Sequence, residues 1–554
     1  MADEEEVVKK KNRLVKYLVL GTPFSILFAF LVFPVFTVVV EGILGGGVDS
    51  LITTIGSPTT NRVFTFTIGQ AIISTAASFL LGIPGAFVFA RMEFPGRNIV
   101  RALFVVPFVL PPIVVVVGFM QVFGSGGILD SILKVLLQSS DSVLNLATGA
   151  PGIILAHAFY NAPLFIMMVS SSLKTLPEEM EEIAESLGAS RTGILRRIIF
   201  PHIRSSLFAA SILTFLFCFM SFPIVLAFGQ GRLMTLEVQI WNAFRFFEYD
   251  KASILAFIQI LITLVLAYSY VRTETSTSGY ADVKSRVREL AEIGTKWKLV
   301  TISYISFALF LLMGPMLAIF LSAVHDPFRD QFTLDGLAYL MQGGLDGGLV
   351  PLFNSLFYGG LATLLSLLLG IPLAYVHKSK RFMLPGITSV FTLLPLGISS
   401  ITMAYGLMLA VAVPLGLTTN PWPLIIIAQT IIGVPFSARS IQIAWEKVNE
   451  DVLDQADILG ASRMQKLFFV ELPLLAPGIL VAAVFSFAMA IGEMSATLFL
   501  AQPENSTLSV AIYRNLAVRN FVQAGASALI LVLICLVAFL VIEYLSESGY
   551  GGAL

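Results

Sequence analysis

Apolar positions along this chain come in long unbroken runs, separated by short polar segments, and not in the alternation of a strand or the narrow stripe of a surface helix. Runs of about 20 residues are long enough to cross a bilayer's hydrocarbon as helix. Twelve are predicted: near 16–40, 63–90, 100–123, 151–173, 205–230 and 253–271, then 299–323, 352–376, 386–413, 422–441, 474–500 and 523–545. The pattern predicts an all-α polytopic membrane protein. Pro107 and Pro395, inside the third and ninth runs, are expected to kink their helices and shape a central cavity.

The polar segments orient the spans. With the N-terminus inside, 26 of the 34 lysines and arginines fall on the cytosolic side. The positive-inside bias thus puts both termini in the cytosol and predicts a multi-pass protein of the cytoplasmic membrane. The chain is 56% hydrophobic and 12% charged over 554 residues, which excludes a soluble domain. The net charge of −1 says nothing about nucleic acid, and no nucleic-acid partner is expected. Cys218 and Cys535 fall inside apolar runs and read as packing residues, not a disulfide. The N-terminus lacks a small-residue cleavage site and reads as an uncleaved first helix.

Within this frame the chain repeats itself. Gly82-Ile83-Pro84 returns as Gly370-Ile371-Pro372, and Pro107 and Gly118 return as Pro395 and Gly406, all at an offset of 288. From Ala156 and Pro163 onward the partners are Ala428 and Pro435, at an offset of 272. The 16-residue difference is a longer outer loop around Gly124 to Gly152. Both offsets shift the chain by an even number of spans, so the two halves are parallel repeats. The expected organisation is a cytosolic N-terminus at 1–15, a first half at 16–272, a linker at 273–298 and a second half at 299–554. Spans 1 and 7 share little sequence and are read as additions to a core of five helices per half. Some helical character is expected in the linker at Val283 to Ile293.

The strongest repeat lies in two charged loops, 174–204 and 442–473. Leu187-Gly188-Ala189-Ser190-Arg191 matches Leu459-Gly460-Ala461-Ser462-Arg463 residue for residue. Pro201 and Pro473 follow each glycine by 13 positions, and Glu182 and Asp454 precede it by six. Each loop is predicted as a helix, a sharp turn and a second helix. Pro177, Glu178 and Glu179 suit the start of the first helix, and Asn449 can cap its counterpart. Gly188 and Gly460 suit the left-handed position past its end, Ser190 and Ser462 cap the second helix, and Pro201 and Pro473 end it. One such turn is ordinary helix-turn-helix punctuation; two at matching topology suggest a part that works in pairs.

These loops resemble the EAA loop of ABC importer permeases, which reads Glu-Ala-Ala, three residues, Gly, then a proline. Glu182-Ile183-Ala184 and Asp454-Gln455-Ala456 occupy its first three positions, with departures at Ile183, Asp454 and Gln455. The resemblance covers nearly all of the chain and implies the type I permease fold of that family. It implies that Glu182, Ala184, Gly188 and Pro201, with Asp454, Ala456, Gly460 and Pro473, form coupling helices. Two copies of a cytosolic ABC ATPase would dock there, and an extracytoplasmic solute-binding protein on the outer loops. ATP and magnesium would then be used by the partner, and the chain itself would hold no cofactor, metal or catalytic residue. Thr235-Leu236-Glu237-Val238 and Ile240-Trp241-Asn242-Ala243-Phe244 look like the outer segment of thiamine permeases. Ile491-Gly492-Glu493 looks like a Gly-acid step shared by the ferric iron and thiamine branch, and polyamine and sulfate or molybdate permeases share much of it.

For the route itself, Glu493 is the notable residue, an acid within an apolar run and flanked by Gly492 and Ser495. It reads either as part of the cavity wall, opposite Ser221 and Pro223, or as a buried acid satisfied by hydrogen bonds between helices. His157 and Asn161 lie one turn apart in span 4, for packing or for solute contact. The chain has no Gly-x-x-x-x-Gly-Lys-Ser/Thr loop for nucleotide phosphates. An ion-gradient-driven secondary transporter is the rival reading; it calls for several buried ionisable residues along a path and leaves the duplicated loop unexplained. The expectation is an importer permease for a small charged solute, ferric iron or thiamine first.

Overall fold

The computed structural model describes residues 21–45, 47–274, 288–289, 294–326, 331–379, 391–392 and 394–545. Eleven helices among them are long and apolar enough to cross a membrane. In chain order the helices that matter below are α1 (Phe33–Val40), α2 (Pro58–Arg91), α3 (Arg97–Val109), α4 (Pro112–Phe123), α5 (Ile128–Leu137), α6 (Gly149–Lys174) and α7 (Glu178–Ser186). Then come α8 (Arg191–Ile194), α9 (Phe200–Phe219), α10 (Pro223–Phe228), α11 (Leu236–Arg245), α12 (Tyr249–Glu274) and α13 (Thr295–Ser322). The second half supplies α14 (Leu349–Ser379), α15 (Ser400–Leu407), α16 (Trp422–Glu446), α17 (Glu450–Ile458) and α18 (Arg463–Lys466). It ends with α19 (Leu472–Gly492), α20 (Ser495–Leu500), α21 (Leu508–Ala517) and α22 (Phe521–Leu545).

Four of the predicted spans, the third, fifth, ninth and eleventh, are not single helices. The third breaks at Leu110–Pro111 into α3 and α4, three residues beyond Pro107, which itself sits inside α3. The expected span at 386–413 falls partly outside the described residues. Its described part is a 3-10 turn, Leu394–Gly397, holding Pro395, followed by a helix that starts at Ser400, with the Ser399 side chain accepting from Thr402 N. Ser399 is Pro111 shifted by 288, so both halves break this helix at the same place. In the first half Pro111 disfavours helix at Leu110 and sets the break beyond Pro107; in the second the Ser399 cap starts the new helix. Of the linker helix expected at Val283 to Ile293, only Arg288 and Glu289 are described, and they form a parallel bridge with Met92–Glu93.

The chain packs as two compact units that do not follow its halves. The first-half unit comprises Gly46–Ala338 with Ile512–Leu529, and the second-half unit Met1–Gly45, Tyr339–Ala511 and Ile530–Leu554. Span 7 (α13) therefore belongs with the first half, against α4, and span 1 (α1) with the second, against α15. A pair of matched glycines permits both contacts. A Cβ on Gly118 would stand 2.4 Å from the Pro315 carbonyl oxygen, and one on Gly406 would stand 2.7 Å from that of Pro34. The spans that looked peripheral in sequence are thus seated at equivalent points. Gly118→Leu is expected to destabilise by about 1–3 kcal/mol through overpacking, read as a drop in the thermal midpoint of the purified protein. Gly360→Ala, where an added Cβ meets nothing within 4 Å, should not lower that midpoint.

Each unit is built around the same core. In the first, α2, α6 and α9 pack together around Ala86, Val169, Leu173 and Ile203. In the second, α14, α16 and α19 do so around Ala374, Ile441, Trp445 and Leu475. These positions correspond at the offsets of 288 and 272, so duplication preserved the packing layer directly beneath the charged loops. Leu173 became Trp445 there, and Tyr375 packs against the larger ring at 5.4 Å.

Candidate functional site

The repeated loops fold alike to the level of single hydrogen bonds. α7 carries Glu178, Glu179 and Glu181 in its first turn, where the helix dipole favours anions. It closes with Leu187 N donating to Ile183 O, Gly188 N to Glu185 O and Ala189 N to Ala184 O, at 2.9–3.0 Å. In α17 the bonds run from Leu459 N to Gln455 O, Gly460 N to Asp457 O and Ala461 N to Ala456 O, each 3.0 Å. This is the Schellman closure, which needs a left-handed residue just past the helix. Gly188 at φ +79° and Gly460 at φ +77° supply it. Ala184 and Ala456 lend the carbonyls that receive the returning chain, so their place in the motif is structural. Glu182 and Asp454 are exposed.

The second helix is capped as expected. Ser190 Oγ accepts from Gly193 N, and Ser462 Oγ accepts from Gln465 N while Gln465 Oε1 accepts from Ser462 N. It does not end at the proline. α8 runs through a π-helical turn, Leu195–Ile199, into α9, and α18 runs through Leu467–Glu471 into α19. A proline inside an α-helix clashes with the carbonyl four residues back, here that of Arg197 for Pro201. The wider turn absorbs that clash, so Pro201 and Pro473 join the loop to the span without interrupting it. A push on α7 or α17 therefore enters a continuous membrane helix across one short, glycine-hinged turn.

Apolar side chains stand bare at the loop tips. Leu187 is 82% exposed and Leu459 87%. Ile183 and Met180 in the first loop and Ile458 and Met464 in the second are also exposed. Such side chains stand beside the exposed acids Glu182 and Asp454.

The residues singled out within the spans cluster at a second duplicated feature. α9 stops at Phe219 and restarts as α10 at Pro223; α19 stops at Gly492 and restarts as α20 at Ser495. Glu493 is Ser221 shifted by 272, and Ser495 is Pro223 shifted likewise, so the five positions Ser221, Pro223, Gly492, Glu493 and Ser495 mark one break in two copies. In the second-half unit the Glu493 carboxylate caps α20. Oε1 accepts from Ala496 N at 2.7 Å, and Oε2 from Thr497 N at 2.9 Å and Thr497 Oγ1 at 2.7 Å. Glu493 is 8% exposed. In the first-half unit α10 opens on Pro223, which has no N–H, and Ser221 stands where Glu493 does.

His157 and Asn161 are buried in α6. Ser74 Oγ pairs with His157 Nδ1 at 3.1 Å, and Asn161 Nδ2 donates to His157 O and to Cys218 Sγ, which ties α2, α6 and α9 together. Sequence reasoning missed a matched pair of caps. Thr67 Oγ1 accepts from Leu236 N at the start of α11, and Ser355 Oγ from Leu508 N at the start of α21. A hydroxyl retained at the 288 offset was the available signal. Also unforeseen is the Asp130 clamp, which accepts from Gly126, Val143 and Leu144 N–H and Ser142 Oγ and shapes the longer outer loop of the first half.

The family profile described as binding-protein-dependent transport system inner membrane component matches residues 78–274 and again 366–548. The two matches start 288 residues apart, the offset read from the glycine and proline repeats. Among curated relatives, the chain is 25% identical over 495 residues to the thiamine transport system permease protein ThiP of Salmonella typhimurium, covering 87% of this chain and 89% of that one. It is 25% identical over 497 residues to the ThiP protein of Brucella suis, covering 88% of each chain. A probable ABC transporter permease protein, y4fN of Sinorhizobium fredii, is 25% identical over 496 residues and 86% of each chain. Duplicated core, duplicated loops and duplicated profile coincide, and the chain belongs to the binding-protein-dependent permeases of ABC importers, with both permease domains fused in one polypeptide.

Proposed function

We propose that this permease imports thiamine, with α7 and α17 each seating one copy of a cytosolic ATPase. The observation that carries the docking part is the matched pair of glycine-closed helices, each with a bare leucine at its tip. The cargo rests on the relatives, two of which are thiamine permeases by name and align over nearly nine-tenths of both chains. A solute-binding protein delivers the cargo from outside, and ATP with magnesium is consumed by the partner. Both termini and both loops face the cytosol, as the basic residues indicate.

The test is uptake of labelled thiamine by proteoliposomes holding the permease, its ATPase and its binding protein. Uptake should require ATP and be competed by thiamine, not by ferric iron, spermidine or sulfate. Competition by one of the latter would reassign the cargo; uptake driven by an ion gradient without the ATPase would replace the importer reading with a secondary transporter. Orientation is checked separately. In a variant lacking Cys218 and Cys535, single cysteines at Ser186 and Gln465 should resist a membrane-impermeant maleimide in intact cells and react after permeabilisation. Labelling in intact cells would overturn the topology and the docking together.

A further inference from the structure

The two coupling helices are alike in their turns and unlike in how they are tied down. Arg91, the last residue of α2, pairs through Nη2 with Glu181 Oε1 of α7 at 2.5 Å, with only 14% and 10% of the two side chains exposed. The end of α2 that holds Arg91 is itself braced. Arg97 bonds both Glu93 Oε2 and the Phe89 carbonyl, and Met92–Glu93 pair with Arg288–Glu289. In the second half the duplication offers no counterpart of this pair; among the described residues the ion pair of α17, Lys466 with Asp457 at 2.6 Å, joins it to α18 and not to the preceding span. Glu181 corresponds to Leu453, which is 9% exposed, and Arg91 corresponds to Ser379. The core of that unit, which includes Trp445 and Leu475, is apolar.

These contacts differ in kind. A hydrogen-bonded ion pair shielded from water has one good geometry, and pulling it apart leaves two poorly solvated charges. Apolar packing is non-directional, so a seated leucine can shift against its neighbours while staying buried. We propose that Arg91 and Glu181 are positioning residues that latch the first coupling helix rigidly to α2. The second coupling helix, with Leu453 in the place of Glu181, lacks that charged tie to the preceding span and follows the ATPase more compliantly. The two loops of one chain then transmit unequally, the first as a lever and the second as a cushion. The inference rests on the reading of α7 and α17 as ATPase docking helices.

Two measurements separate the latch from that reading. Without any ATPase, spin labels are placed at Ser186 in α7 and at its counterpart Ile458 in α17. The Ser186 label should be the less mobile of the two, and Glu181→Gln should raise its mobility towards that of the Ile458 label. Equal mobilities in the unaltered pair, or no response to Glu181→Gln, would overturn the latch whatever the protein transports. In the reconstituted complex, Glu181→Gln and Arg91→Gln should keep ATPase association and lower solute moved per ATP by about tenfold, the scale on which severed buried pairs act. The volume-conserving Leu453→Met should leave that ratio unchanged. The reversed pair, Arg91→Glu with Glu181→Arg, should recover most of it, which a loss of folding would not allow. A wild-type ratio in an assembled Glu181→Gln complex would overturn the lever, whereas failure of the unaltered permease to bind an ATPase would overturn the docking reading on which the lever depends.

Discussion

Glu493→Leu is expected to abolish accumulation of the assembled permease. The carboxylate receives two backbone N–H groups and a hydroxyl in a buried setting, and leucine would leave all three without an acceptor. Each orphaned buried donor costs about 1–3 kcal/mol, against a total stability of about 5–15 kcal/mol for a typical domain. Glu493→Gln keeps the shape and one acceptor oxygen but turns an amide NH2 towards a donor. It should assemble with a lowered thermal midpoint, measured on detergent-purified complex. Uptake per assembled complex in the Gln variant then tells the two roles of this residue apart. A fall for a cationic cargo puts its charge on the route, and unchanged uptake restricts it to capping α20.

A bulky residue in place of Gly188 or Gly460 is expected to uncouple transport and spare the fold. Both glycines are left-handed, where a side chain costs roughly 1–2 kcal/mol. Neither has an atom within 4 Å of where a Cβ would go, so strain in the turn and not collision sets the cost. The strain would be relieved by re-aiming α7 or α17 relative to the span each one drives. Expression and thermal midpoint should change little, while uptake falls by an order of magnitude or more with ATPase association weakened. The Gly188 change should be the more damaging, because Glu182 matches the loop pattern where Asp454 is shortened. Normal uptake with both substitutions would show that these helices do not transmit the ATPase stroke.

How much was legible from the residues follows from the range of the forces involved. The loops were readable in detail because their structure is local. The left-handed turn at Gly188 and the caps at Ser190, Ser462 and Asn449 are decided within four residues of chain. The fate of Pro201 was misread for a related reason. A proline signals that the α-helical ladder is broken, and not whether a π turn will carry the helix past it. Glu493 was visible as an anomaly, but its two readings could be weighed only once its oxygens were seen on Ala496 and Thr497. Arg91 and Glu181 lie 90 residues apart, and nothing local links one to the other.

The residues alone establish a polytopic membrane protein of two parallel halves that repeats one charged loop. Apolar run length, positive charge on one side and repetition are properties of the chain, and a bilayer leaves few other folds open to them. Which half each outlying span joins, α13 the first and α1 the second, is settled by packing. Lipid-facing helices carry no strong pattern to name their neighbour. That choice rests on close approach, of Pro315 to Gly118 and of Pro34 to Gly406, which exists only after the helices meet. The same holds for the difference between the coupling helices. An ion pair on one and a leucine on the other become a difference in stiffness only where α2 ends beside α7 and Leu453 is buried in α17.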